Sequence, residues 1–147
     1  MTKDIYPMPA FLTLTVPDLA RTADWYSTAL DFVVLFTMPG PDGPSLVHLR
    51  RWRYQDILVR PGTADPGTGW EVSIAALAED LPGLAERVRA HRGGAVEGPV
   101  DTPWNTRDVR VTDPDGYRLV YTARRPEGER DERFGEMIQQ LAREQLA

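Results

Sequence analysis

The chain has 147 residues and no cysteine, so it has the length of one domain and offers no disulfide, thiolate metal site or cysteine nucleophile. Its formal net charge of -5 at pH 7 argues against a nucleic-acid partner, because binding phosphates needs a basic surface. No apolar run approaches the length of a membrane span and residues 1–9 show no signal-peptide pattern, so we expect a cytoplasmic protein with no membrane partner.

The first half of the chain predicts a strand followed by an amphipathic helix. Residues 10–16 alternate between apolar and threonine side chains, and residues 19–30 repeat apolar residues at helical spacing. Pro17-Asp18 between them is a helix-cap signal. Three further strands are predicted before a Pro- and Gly-rich boundary at 61–69, namely 32–38, 46–52 and 55–59.

The second half repeats this order of elements. Residues 70–75 predict a strand, and residues 80–91 predict a helix that tolerates Pro82 because proline fits the first turn. The segment Asp113-Pro114-Asp115-Gly116 predicts a tight turn. The remaining strands are predicted at 95–100, 106–111 and 117–122. The order of elements, rather than residue identity, indicates an internal repeat.

A further amphipathic helix is predicted at about 131–146, after a charged loop. Its apolar side chains are Phe134, Met137, Ile138 and Leu141. These side chains need burial, and the sequence leaves two partners open: the helix's own domain or a second subunit.

Six short segments in both halves carry a family resemblance. They are Val16-Pro17-Asp18-Leu19, Trp25-Tyr26, Leu30-Asp31-Phe32, Gly93-Gly94, Gly98-Pro99 and Asp113-Pro114-Asp115-Gly116-Tyr117. Together they resemble the vicinal oxygen chelate superfamily, of the glyoxalase and bleomycin-resistance type, over about residues 8–123. The resemblance implies an α+β fold of paired βαβββ modules, about 8–60 and about 69–123. With the C-terminal helix they form one domain of residues 1–147, which pairs as a homodimer to complete a cleft.

The resemblance also locates the positions that hold a divalent ion in the metalloenzymes of this family. These four cleft-facing positions, usually His and Glu, correspond here to Phe11, Leu58, Trp70 and Val120, and slippage of register would bring Asp56 or His48 to the second. At least three positions then offer no ligand, because Phe and Val have only carbon and the Trp indole nitrogen is only a donor, whereas a divalent ion needs nitrogen or oxygen lone pairs. We therefore expect no metal, no other cofactor and no metal-dependent catalysis.

Ring-bearing and charged side chains at the implied cleft predict a ligand site. Phe11 and Trp70 are either core residues or stacking rings, and Trp104 is either at the cleft mouth or a loop anchor. Asp108 and Arg110 share one face of a strand and either pair with each other or orient a polar edge of a ligand. The predicted ligand-binding residues are Phe11, Phe36, Met38, His48, Leu58, Trp70, Trp104, Asp108, Arg110 and Val120.

Three functions fit this pattern. The leading prediction is a non-catalytic homodimer that sequesters a bulky, aromatic antibiotic or metabolite and so confers resistance. The second is a metal-independent enzyme that uses His48 or the Asp108 and Arg110 pair for proton transfer in a biosynthetic pathway. The third is a regulatory module that senses a small molecule. A binding cleft and an acid–base cleft use the same residue types, so the sequence does not separate them.

Overall fold

A computed structural model describes Met8 and residues 10–67 and 69–146 of the chain. The first half contains β1 (Leu12–Val16), α1 (Leu19–Ala29), β2 (Val33–Gly40), β3 (Gly43–Arg50) and β4 (Asp56–Pro61). The second half contains β5 (Val72–Ala75), α2 (Leu81–Ala90), β6 (Ala95–Asp101), β7 (Thr106–Thr112) and β8 (Arg118–Arg124), and α3 (Glu132–Leu146) follows it. The predicted α+β fold, with paired βαβββ modules and a C-terminal helix, is confirmed.

The two modules have the same sheet topology. The strand orders are β1-β4-β3-β2 and β5-β8-β7-β6, four strands in each sheet. The parallel pairs are β1 with β4 and β5 with β8, and the remaining pairs are antiparallel. Each module is therefore one crossover unit extended by a meander of antiparallel strands.

One face of each sheet packs against helices and forms the core. Leu14, Leu49 and Val59 are buried in the first sheet, and Val109 and Tyr121 are buried in the second. Because strand side chains alternate between faces, the residues between these core residues point the other way. We call the two sheet surfaces that point away from the core the open faces.

The Asp113–Gly116 turn joins the second module to α1. Oδ1 of Asp113 accepts hydrogen bonds from the backbone N–H groups of Asp115 at 2.8 Å and Tyr117 at 2.9 Å, and Oδ2 accepts from the Tyr26 hydroxyl at 2.6 Å. Burial raises the pKa of Asp113 and, together with the charge of Asp113, that of Tyr26. The Tyr121 hydroxyl crosses in the opposite direction and donates to the carbonyl of Leu30 at 3.1 Å. Tyr26, Leu30 and Asp113 belong to the segments that carry the resemblance, and they form hydrogen bonds between the modules.

Two element boundaries differ from the sequence prediction. The strand predicted to open at Trp70 begins at Val72, because the Trp70 indole N–H donates to the carbonyl of Pro66 and keeps the residue in the preceding loop. The strand predicted from residue 10 begins at Leu12, so Phe11 precedes it.

Helix α3 has an apolar face that its own domain leaves exposed. Met137, Ile138 and Leu141 are 49%, 46% and 42% exposed. Of the two partners that the sequence left open, the helix's own domain therefore does not bury these side chains. None of the helices in the described ranges is long and apolar enough to cross a membrane.

Candidate functional site

A charged cluster is buried on the open face of the first sheet. The carboxylate oxygen Oδ1 of Asp56 lies 2.7 Å from Nε2 of His48 and accepts a hydrogen bond from Nε of Arg50 at 2.6 Å. The strand register produces this contact, because Arg50 pairs with Asp56 across the β3–β4 hairpin and His48 lies two residues back on the same face. The Arg50 guanidinium compensates the buried carboxylate, so the cluster is a built ion pair.

The residues at the implied metal positions do not fit a divalent ion. Phe11, Leu58 and Val120 have only carbon in their side chains, and Ser73, rather than Trp70, pairs with Val120 in the second sheet. Asp56, the alternative from slippage of register, already accepts from Arg50. In the part of the chain that the structure describes, no three His, Cys, Asp or Glu side chains converge as ligands.

A cavity of about 320 Å³ lies at the junction of the modules. Residues 10–12, 54–57 and 72–75, together with Phe32, line this junction cavity. Phe11 is 47% exposed there. The junction cavity therefore offers an accessible aromatic ring beside the edges of both sheets.

A second cavity, of about 300 Å³, lies at the far end of the second sheet. Residues 100–104 line this outer cavity with Glu97, Asp108 and Arg110. Trp104 is 51% exposed, and the loop that carries it is held by the neighbouring Asn105. The Asn105 amide donates to the carbonyl of Asp131 at 2.8 Å and its oxygen accepts from the Asp131 N–H at 2.7 Å. The exposed ring is therefore presented by a fixed loop.

Asp108 is buried in this outer cavity, with only 7% of its surface exposed. Its Oδ1 atom is shielded from solvent and has no hydrogen-bond partner among the described residues. The prediction that Asp108 pairs with Arg110 is wrong, because Arg110 forms its ion pair with Glu71 on the neighbouring loop. Asp108 therefore presents one buried carboxylate oxygen that the described residues do not satisfy.

Four of the predicted ligand residues lie together on the open face of the first sheet. Phe36, His48 and Leu58 form one row across β2, β3 and β4, and Met38 lies two residues beyond Phe36. The Phe36 ring packs edge-on against His48, with centroids 5.3 Å apart. Phe36 is 46% and Met38 is 47% exposed, so this row presents an apolar surface to solvent.

The remaining predicted residues lie in three places, and Phe11 is at the junction cavity. Trp104, Asp108 and Arg110 share the outer cavity, and Val120 pairs with Arg110 on the adjacent strand. Trp70 lines neither this cavity nor the junction cavity, and its ring lies 5.8 Å from the ring of Tyr117.

Two functional features were missed by sequence reasoning. Glu71, which neutralises Arg110, was not singled out, although its alternation with Ser73 places it on the open face. Arg50 was also missed as the partner of Asp56, although His48 and Arg50 alternate on one strand opposite that aspartate.

Comparisons with known proteins agree with this architecture. A family model described as Glyoxalase/Bleomycin resistance protein/Dioxygenase superfamily matches residues 9–121. A search of the curated proteins gives no match. Solved structures with a similar fold include a glyoxylase/bleomycin resistance protein/dioxygenase domain from Frankia sp. EAN1pec, with 23% identity over 84% of this chain and 96% of that one, and a TM-score of 0.67.

Two further solved structures are similar at the level of the fold. One is the fosfomycin resistance protein FosX from Listeria monocytogenes, in complex with Mn(II) and sulfate. It shares 16% identity over 81% of this chain and 93% of that one, with a TM-score of 0.64. The other is TioX from Micromonospora sp. ML1, with 20% identity over 78% of this chain and 96% of that one, and a TM-score of 0.59.

Proposed function

Because this chain belongs to the Glyoxalase/Bleomycin resistance protein/Dioxygenase superfamily, we propose that it is a non-catalytic binding protein. It sequesters a bulky, aromatic antibiotic or metabolite in a cleft of a homodimer and confers resistance by lowering the concentration of free ligand. We also propose that it acts in the cytoplasm and without a cofactor. A solved structure of similar fold is itself a fosfomycin resistance protein, which supports resistance as the biological setting.

The observation that carries this proposal is the exposure of large apolar side chains on and beside the open faces. Phe11, Phe36, Met38 and Trp104 are each between 46% and 51% exposed. A solvent-facing sheet surface is ordinarily polar, and clustered exposed apolar side chains mark surfaces that bind something. Aromatic rings and methionine fit flat apolar ligands, because they give a large contact area with few rotatable bonds or adapt to the ligand's shape.

The proposed ligand contacts are the residues that the sequence singled out. Leu58 and Trp70 would add apolar surface, and Asp108 and Arg110 would meet polar groups of the ligand. Val120 is only 3% exposed, so it would support the surface from beneath rather than extend it. His48 would support the site, because its Nε2 atom is engaged by Asp56 and is not available to a ligand. Sequestration rests on the exposed apolar side chains, and the experiment below separates it from a metal-independent enzyme.

A capture experiment tests the proposal. Purified protein is incubated with a panel of aromatic antibiotics, separated from free compound, and the bound fraction is identified by mass spectrometry. We expect a bound compound of unchanged mass, and less capture by a Phe36→Ser, Trp104→Ala double variant of normal stability. Recovery of a converted product would instead favour the enzyme, and no retention of any compound would contradict binding.

The homodimer is proposed from the exposed face of α3. A second copy would bury Met137, Ile138 and Leu141, which the chain leaves in solvent. Light scattering at micromolar concentration should give the mass of a dimer, and Ile138→Glu should shift it to a monomer. The matched substitution Glu136→Gln on the same helix should leave the dimer intact, and a monomeric wild-type protein would contradict the proposal.

A further inference from the structure

The surroundings of Asp108 do not stabilise the folded protein. Its carboxylate is on β7, opposite Thr122 on β8 and Val100 on β6, and only 7% of the residue is exposed. No described side chain or backbone group donates a hydrogen bond to Oδ1. A buried carboxylate without a partner is costly, and buried polar groups are nearly always satisfied. A ligand that supplies the missing donor would remove that cost.

The charges around Asp108 favour a cation as that ligand. Arg110, the cation on the same strand, is held by Glu71, and Arg107 is held by Asp101 at 2.6 Å and Glu129 at 3.0 Å. Glu97 also lines the outer cavity and forms no ion pair within the described ranges. Arg110 and Arg107 are therefore neutralised, while Oδ1 of Asp108 has no donor and Glu97 has no ion pair among the described residues.

The backbone of β6 is irregular beside the outer cavity. Strand β6 bulges between Glu97 and Val100, and Gly98 lies there with φ of 102°. A Cβ atom at Gly98 would lie 2.6 Å from the carbonyl oxygen of Asp108, so a larger residue would collide with β7 at this point. Bulges of this kind re-aim side chains beside functional sites. The bulge brings Val100, which is 58% exposed, opposite Asp108.

We propose that the outer cavity binds the cationic nitrogen group of an aromatic ligand, a protonated amine or an amidinium. The group donates its N–H to Asp108, and the attached ring packs on Trp104 and Val100. Charge-assisted hydrogen bonds to a buried carboxylate are stronger than neutral ones, so this contact selects cations over neutral analogues. The inference rests on the proposed function, because it names the chemical class of the sequestered molecule.

Three probes with one ring system test this selectivity. They are 1-naphthylmethylammonium, 1-naphthalenemethanol and 1-naphthoate, which carry a positive charge, no charge and a negative charge. Titration calorimetry with the full chain at neutral pH should give the tightest binding for the ammonium and the weakest for the carboxylate. Equal affinity for all three, or no binding of the ammonium, would overturn the inference.

Matched variants separate direct contact from general electrostatics. Asp108→Asn should weaken ammonium binding by roughly tenfold to a hundredfold and leave the alcohol unchanged, because only the ammonium forms the charged hydrogen bond. Glu97→Gln removes a charge from the same cavity but at an exposed position, where about a twofold effect is expected because solvent screens the charge. Trp104→Ala should weaken the ammonium and the alcohol equally, by roughly threefold to tenfold.

The outcomes also distinguish the inference from the proposed function. If Asp108→Asn has no effect on the ammonium while Trp104→Ala weakens both probes, the cavity binds aromatic rings but not through Asp108, and only the inference fails. If antibiotics are captured while none of the three probes binds, the inference fails and sequestration stands. Failure of the antibiotic capture alone would remove sequestration without removing the cation site.

Discussion

Asp108 and Asp113 are both buried and lie only five positions apart in the second module, yet their carboxylates have opposite surroundings. Asp113 accepts three hydrogen bonds, two from its own turn and one from Tyr26 of α1. Asp108 lines a cavity, and its Oδ1 atom accepts none from the described residues. The satisfied aspartate organises the fold, and the unsatisfied one marks the surface on which a ligand is expected.

Asp56 resembles Asp113, because its buried carboxylate also has partners within the protein. Its carboxylate is buried and meets Arg50 and His48, even though it lies on the open face of a sheet and beside the junction cavity. Position near a cavity is therefore a weaker indicator of ligand binding than an unfilled hydrogen-bonding capacity. The substitutions below test this distinction.

The largest effect is expected at the buried ion pair. Asp56→Ala should lower the free energy of unfolding by about 3–5 kcal/mol, because it leaves the fully buried Arg50 guanidinium without its carboxylate partner. Urea denaturation followed by circular dichroism measures the change. Asp101→Ala, which breaks an exposed pair with Arg107, should have little effect. Equal losses would show that burial does not decide the contribution of these pairs.

A smaller loss is expected at the module junction. Tyr26→Phe should lower the free energy of unfolding by about 1.5–3 kcal/mol, because a buried hydroxyl no longer donates to the Asp113 carboxylate. Tyr121→Phe removes a buried bond to a neutral carbonyl and should cost about 0.5–1.5 kcal/mol. The same denaturation assay compares them. A larger loss for Tyr121→Phe would contradict the assigned role of Asp113.

The opposite sign is expected at Asp108. Asp108→Val should raise the free energy of unfolding by about 1 kcal/mol, because it removes an unsatisfied buried carboxylate and adds a residue that suits a strand. Thermal melts of the ligand-free protein measure the gain, with Asp113→Val as the control that should be destabilised. Destabilisation at both positions would show that Asp108 has a structural partner after all.

The smallest effect concerns pH. Burial raises the pKa of Asp113 above its ordinary value of 3.8, so the native state binds a proton that the unfolded chain has already released. This contribution to stability is complete below the unfolded pKa and is lost as pH rises through the native pKa. The stability advantage of the wild type over Asp113→Asn should therefore shrink from about pH 4 upward, as denaturation at several pH values would show. An advantage that grows with pH would contradict the raised pKa.

Local patterns were sufficient to predict the order of strands and helices. Alternation of Leu12, Leu14 and Val16 gave β1, and the apolar spacing from Leu19 to Leu30 gave α1. The boundary at Trp70 was wrong because an indole hydrogen bond, which no periodicity reveals, holds this residue in the loop and the strand begins only at Val72. Strand periodicity thus predicts which face a residue occupies more reliably than where the strand begins.

The sequence predicted which polar side chains share a face of the second sheet, but it did not predict their ion-pair partners. Alternation placed Asp108 and Arg110 on one face correctly, but Arg110 finds its partner in Glu71, 39 residues away in the chain. Oδ1 of Asp108 has no partner among the described residues, and β6 is irregular between Glu97 and Val100 beside it. Such pairings arise from tertiary packing, so a single sequence cannot reveal which charges are neutralised.

The crossed tyrosine contacts at the junction have a consequence for cooperativity. Tyr26 of the first module donates a hydrogen bond to Asp113 of the second. Tyr121 of the second module donates one to the carbonyl of Leu30, just after α1. If either module opened alone, it would expose apolar core and leave these buried polar groups of the other module unsatisfied. We therefore expect the two structural repeats to unfold together in one step, with the Pro- and Gly-rich segment between them as a connection rather than a point of separation.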